Sequence, residues 1–171
     1  MNTQKTILSK EKLESLVGIL GHKLTDKCHE YGGGIIFVCV MKGGFMFFSD
    51  LVKNINYPIK VEFVKCKSYD GQEQKEVMLN MDTTGNIKDY TVFIVDDILD
   101  SGNTMKALIK YFKEEKEVKN IETVSAVYKE NVDFPKHFYI YKQPENVNPW
   151  YVGYGMDDKG YNRNIDTIHT V

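Results

Sequence analysis

Within residues 9–31, apolar side chains recur at Leu13, Leu16, Val17, Leu20 and Leu24, the spacing of one helical face. Ser9 offers a start signal, and Gly32, Gly33 and Gly34 a stop. The pattern then changes. IIFVCVM, residues 35–41, is unbroken, apolar and rich in β-branched residues, as a strand covered on both faces is. A KGG turn leads into FMFFSDLVKNI, a second helical segment. Strand, glycine turn and helix form the unit of an α/β fold. KVEFVKC (60–66) and TVFIVDD (91–97) read as further strands, residues 102–115 as a helix and ETVSAVY (122–128) as another strand. Together they predict an α/β fold with a mostly parallel central sheet flanked by helices.

Two stretches break this rhythm. Residues 67–86, KSYDGQEQKEVMLNMDTTGN, are polar and glycine-bearing, which predicts a loop. After Tyr128 the chain becomes aromatic and irregular through PENVNPWYVGYGMDDKGYNRN. There is no internal repeat, low-complexity tract or linker. At 171 residues, 42 % of them hydrophobic, the chain suits a single domain, 1–171.

Charge narrows the partners. Against 22 basic side chains stand 24 acidic ones, for a net charge of -2, which argues for no nucleic acid and no membrane as partner. The longest apolar runs, 33–41 and 43–48, fall far short of the ~18 residues of a spanning helix. The start, MNTQKTILSKEK, has no apolar core of a signal peptide. Cys28, Cys39 and Cys66 are odd in number and without metal-ligand spacing, as expected of reduced thiols in a cytoplasmic protein. His22, His29, His137 and His169 are scattered, and no metal is assigned to them.

The densest chemistry lies in VFIVDDILDSGNTM, residues 92–105. Asp96 and Asp97 fall at the carboxyl end of a strand, where open parallel sheets bind ligands, and adjacent acids there can reach sugar hydroxyls or a metal. Ser101, Gly102, Asn103 and Thr104 offer hydroxyls, backbone N–H groups and a helix N-terminus, a combination that suits a phosphate. In the plainer reading, Asp100 or Ser101 is only a helix cap. Rival motifs are missing: there is no GxxxxGK[ST], and GYGMDD lacks the last glycine of GxGxxG.

This segment resembles the phosphoribosyl-pyrophosphate (PRPP) signature of type I phosphoribosyltransferases. VMKGG (40–44) is similar to that family's pyrophosphate loop and KSY (67–69) to its catalytic flexible loop. WYVGYGMD (150–157), with Arg163, resembles the purine-binding end of the hypoxanthine-guanine branch. The resemblance spans residues 40–163 in family order. It implies transfer of a phosphoribosyl group from PRPP to N9 of a 6-oxopurine, with loss of pyrophosphate, a flexible catalytic loop near 67–86 and a purine-binding hood near 129–171. It also implies magnesium (Mg2+) held by Asp96, Asp97 and Asp157, and a homodimer or homotetramer; the apolar FMFF stretch is a candidate for that interface.

Residue by residue, the resemblance implies Lys42, Gly43 and Gly44 at pyrophosphate, with a cis peptide at Met41–Lys42, and Arg163 on the same leaving group. Asp96 and Asp97 would hold the ribose hydroxyls, and residues 101–104 the phosphate. Asp100 would sit beside purine N7, and Lys129 would donate to the 6-oxo group. Trp150 would stack on the base with Tyr151 beside it, Asp157 completing that end, while Ser68 and Tyr69 cover the reacting centre. The chain departs from the family where Asn103 replaces a basic residue, Tyr151 a small aliphatic one and Asp96 a common Glu. Tyr151 bears on the choice among hypoxanthine, guanine and xanthine. A nucleotide-sensing regulator on the same fold and a xanthine-preferring transferase are the competing expectations.

Overall fold

The computed structural model describes residues 5–68, 77–81, 86–129, 134 and 137–171. Its elements in chain order are β1 (Lys5–Leu8), α1 (Lys10–Tyr31), β2 (Ile35–Met41), α2 (Phe45–Val52), β3 (Lys60–Ser68) and β4 (Val77–Met81). There follow β5 (Thr91–Leu99), α3 (Asn103–Glu114), β6 (Asn120–Lys129), β7 (His137–Gln143), β8 (Tyr151–Val152) and β9 (Ile168–Thr170). The central sheet has the order β4-β3-β2-β5-β6-β7. Its pairings are parallel except β3 with β4, which are antiparallel. A small antiparallel sheet, β1-β9-β8, joins the two ends of the chain.

The unbroken apolar runs follow from cover on both faces. In β2, Ile35, Phe37 and Cys39 pack into the core cluster that holds the buried residues of α1 and α2. Ile36, Val38 and Val40 enter the cluster under α3. Neighbouring β5 divides in the same way, and Phe37 stacks on Phe93 with ring centroids 4.5 Å apart. The α1 stripe buries Leu13, Val17, Leu20 and Leu24; Ser9 caps the helix by accepting from Lys12 N, and Gly32, at φ 63°, ends it. All three cysteines are free thiols. Burial pushes Cys28 up to about 11, and Cys39 and Cys66 to about 12. Among the described residues no helix is long and apolar enough to cross a membrane.

Several expectations need correction. Residues 67–86 are not all loop: β3 continues to Ser68 and pairs with β4, Ser68 opposite Val77. The irregular tail contains β7, an edge strand whose alternating HFYIYKQ carries less signal than a run covered on both faces. The short β1, β8 and β9 went unread. Of FMFF, Phe47 and Phe48 belong to the core, and among its phenylalanines only Phe45 is exposed.

Edge strand β7 also carries a half-buried titratable group. Ser125 Oγ donates to Val127 O at 2.8 Å, so it accepts from His137 Nε2, also 2.8 Å away. Burial holds the ring's pKa down at about 4 and so keeps it neutral, and in the neutral ring His137 Nδ1 accepts from Thr123 Oγ1 at 2.8 Å. An unfolded histidine takes its proton near pH 6.5, so stability is lost as pH falls from there toward 4, at about 1.4 kcal/mol per pH unit. Chemical denaturation should show the stability advantage of wild type over His137→Gln shrinking by about 2 kcal/mol between pH 7 and pH 5. A difference that stays constant with pH would count against the neutral ring.

Candidate active site

The chain reverses its direction of growth across the sheet between β2 and β5. β2 pairs with β3 on one side and β5 on the other. The carboxyl ends of two such neighbours form the usual ligand crevice of an open α/β sheet. Here they carry the Lys42-Gly43-Gly44 turn and the acidic segment. The Met41–Lys42 peptide is cis. Gly44 N donates to Val40 O at 3.1 Å and Phe45 N to Lys42 O at 3.3 Å. A Cβ on Gly43 would lie 1.8 Å from Asp97 Oδ2, so only glycine lets the turn lie against that carboxylate.

Asp96 and Asp97 each accept the next residue's backbone N–H, Asp96 Oδ1 from Asp97 N and Asp97 Oδ1 from Ile98 N, both at 2.9 Å. These bonds aim the side chains along the strand end. Burial, then the charge of Asp97, pushes the Asp96 carboxyl well above the usual range. Burial raises Asp97 as well, opposed by hydrogen bonds and by the positive charge of Arg163. Two desolvated carboxylates side by side favour a proton, a cation or hydroxyl donors between them. Magnesium fits two adjacent carboxylates, because Mg2+ is typically held by one or two carboxylates together with substrate phosphates; among the described residues no third His, Cys, Asp or Glu joins them.

Beyond Leu99 the chain turns through Ser101, whose Oγ accepts from Asn103 N at 3.4 Å. Gly102, at φ 75°, occupies the N-cap of α3, and no side chain caps the helix. Asp100 is thus not a cap, and the amino end of the helix faces a hollow of about 60 Å³ bounded by Asp96, Ser101, Gly102, Asn103 and Thr104. An uncapped helix start with hydroxyls on its rim is suited to an anion.

A second recess, about 190 Å³, adjoins it and is lined in part by Asp97, Asp100, Lys129, Trp150, Met156 and Asp157. Lys129, at the end of β6, is 7 % exposed. Its Nζ lies 2.8 Å from Asp100 Oδ1 and donates to Asn148 Oδ1 at 3.0 Å. Trp150 is 60 % exposed, with Nε1 donating to Asp157 O at 3.0 Å, so the indole is fixed at one edge while its face stays open. Asp157 pairs with Arg163 at 2.5 Å and accepts from Gly160 N at 2.6 Å; Arg163 Nη1 also donates to Gly155 O at 2.8 Å. Tyr151 lines the recess but belongs to the core, 5 % exposed, its ring edge-on to Tyr141. Burial pushes its hydroxyl pKa far up.

The structure brings together Lys42, Gly43, Gly44, Asp96, Asp97, Asp100 to Thr104, Lys129, Trp150, Tyr151, Asp157 and Arg163 at one end of the sheet. Tyr69 lies outside the described residues, and Ser68 is described only as a β3 backbone position. Sequence reasoning missed Asn148 and Met156. Met156 lies within WYVGYGMD but was given no role there, and nothing local marks Asn148, which only the fold carries to Lys129.

The phosphoribosyl transferase domain family model matches residues 9–159. A hypoxanthine-guanine phosphoribosyltransferase of Staphylococcus aureus is 30 % identical, the alignment covering 98 % of this chain and 93 % of that one. A hypoxanthine phosphoribosyltransferase of Salmonella typhimurium is 27 % identical over 91 % and 88 % of the two chains. Among solved structures, a hypoxanthine-guanine phosphoribosyltransferase of Bacillus anthracis superposes with a TM-score of 0.86 at 29 % identity, covering 98 % of each chain.

Proposed function

The chain belongs to the phosphoribosyl transferase family, and on that footing we propose that it salvages purines by transferring the 5-phosphoribosyl group of PRPP to N9 of hypoxanthine or guanine. The observation that carries the base assignment is the pairing of Asp100 with Lys129 at 2.8 Å in the recess under Trp150. A 6-oxopurine presents N7 and O6 side by side on one edge. A carboxylate beside an ammonium matches that edge: Asp100 accepts from N7–H and Lys129 donates to O6.

An ammonium has three donors. Asp100 and Asn148 engage Lys129 in two directions, and the base oxygen takes the next. Adenine would set an amino donor against it, and a buried donor without an acceptor is costly. With the base stacked on Trp150, the N9 lone pair attacks carbon 1 of the ribose, the bond to pyrophosphate breaks, and Asp100 takes the N7 proton. The 101–104 hollow holds the 5-phosphate, the 42–44 turn holds the pyrophosphate, and Asp96 and Asp97 hold the ribose hydroxyls. Asp96 and Asp97 would hold magnesium, which would neutralise charge on the leaving group; Asp157, expected as a third ligand, instead pairs with Arg163. A homodimer or homotetramer is supported by the exposed Phe45, Val61 and Phe63, and a cytoplasmic setting by three free thiols.

The test is direct. The purified protein, PRPP and magnesium are incubated with hypoxanthine, guanine, xanthine or adenine, and nucleotide is followed. Product with hypoxanthine or guanine is expected; none from any 6-oxopurine overturns the reading. Lys129→Gln should lower kcat/KM for hypoxanthine and guanine by about 10-fold, the worth of one charged hydrogen bond of ~1.5 kcal/mol. Discrimination against adenine should narrow, because a glutamine oxygen can accept from the amino group. An unchanged ratio of 6-oxo to 6-amino activity would show that Lys129 does not read the base.

A further inference from the structure

Behind the 42–44 turn the chain makes a second contact with the hood. Tyr154 is 3 % exposed, and its hydroxyl donates to Asp50 Oδ2 at 2.8 Å. Asp50 lies on α2, the helix that begins where the turn ends, and its Oδ1 accepts from Lys53 Nζ at 2.6 Å. The next residue, Gly155, presses on the turn itself: a Cβ there would lie 2.0 Å from Gly43 O. Tyr154 and Gly155 have φ of 51° and 100°. Their N–H groups are held by Ile165 O at 2.6 Å and Arg163 O at 2.9 Å. One hood segment therefore touches the turn by its backbone and grips the following helix by a side chain.

Tyr154 packs into the buried core, and its hydroxyl gives its contact with α2 a direction that apolar packing lacks. On that side lies a cavity of about 430 Å³, lined in part by Lys10, Glu14, Met46, Asp50, Tyr154 and Asp166. The tyrosine ring lies tilted against Phe47, with 6.4 Å between centroids. Beside that cavity the directed hydrogen bond adds a fixed distance to the apolar packing of the ring. Burial pushes the Tyr154 hydroxyl pKa far up, so it remains a donor throughout the working pH range. We propose that Tyr154 and Asp50 are positioning residues: their hydrogen bond ties α2 to the hood and so holds the 42–44 turn at the spacing that binds a diphosphate. This rests on the assignment of that turn to pyrophosphate. Small displacements of a binding group are costly because its donors must meet the ligand together.

The experiment measures kcat and KM for PRPP and for hypoxanthine in wild type and variants. Tyr154→Phe should raise the KM for PRPP by roughly 3- to 10-fold, the range of one net hydrogen bond, and leave the KM for hypoxanthine unchanged. Asp50→Asn keeps an acceptor for the tyrosine and should stay near wild type. Asp50→Ala should match Tyr154→Phe, and the Tyr154→Phe/Asp50→Ala pair should be no worse than either alone. A purely structural role would lower Tm and the active fraction, hence kcat, without moving the KM for PRPP. That outcome, or an equal rise in both KM values, overturns the proposal. Calorimetric titration with inorganic pyrophosphate and magnesium reads the tie without turnover: weaker binding by Tyr154→Phe is expected. Equal binding, or none by wild type, overturns it, whereas a wild type that binds pyrophosphate but makes no nucleotide bears on the transferase reading instead.

Discussion

Asp100→Ala should lower kcat by roughly 10²–10⁴-fold, the usual loss on removing a general acid or base, while PRPP binds almost as before. Asp100 does not cap α3, and its side chain is 68 % exposed, so any fall in Tm on its removal should trace to its partner Lys129. Alanine also strips the buried Lys129 ammonium of a counter-ion, which mixes two effects. Asp100→Asn separates them, since its oxygen can still accept from Lys129 Nζ but cannot take a proton from N7. If proton transfer dominates, both variants lose kcat to a similar extent. Should Asp100→Asn turn over near the wild-type rate, the residue serves only to orient Lys129.

Gly43→Ala should reduce kcat/KM for PRPP by on the order of 10²-fold, the scale of a catalytic group displaced by about 1 Å. The added methyl would meet Asp97 Oδ2 at 1.8 Å and Cγ at 2.4 Å. A side chain can swing aside where backbone cannot, so the protein should fold. Asp97 then gives up its bond from Ile98 N and leaves the face where ribose hydroxyls and magnesium are expected. Steady-state kinetics over a range of magnesium concentrations, alongside a melting curve, checks this. A variant with normal kinetics and normal Tm would show that Asp97 has no part in holding substrate.

How much of this was legible beforehand depended on the range of the interaction. The runs at β2, β5 and β6 announced themselves because cover on both faces demands unbroken apolar residues, and α1 because a single buried face demands a helical period. Edge strands β4 and β7 carry weaker patterns. Strands β1, β8 and β9 consist of two to four residues, too few for any period to show.

The same division runs through the site. The acid pair, the Ser101–Thr104 cradle and the KGG turn are contiguous segments whose chemistry is local, so the chain sequence by itself determined which polar groups they offer and, through resemblance, the family to which they belong. Only the tertiary structure decided that Gly43 backs onto Asp97, that Lys129 is held between Asp100 and Asn148, that Tyr151 turns into the core and that Tyr154 reaches Asp50. Each of these joins residues from different elements, and their distances are set by strand order, sheet register and the packing of α2 and the hood. A linear pattern records which groups a chain carries; which of them meet is fixed only when the sheet is closed and its faces are covered.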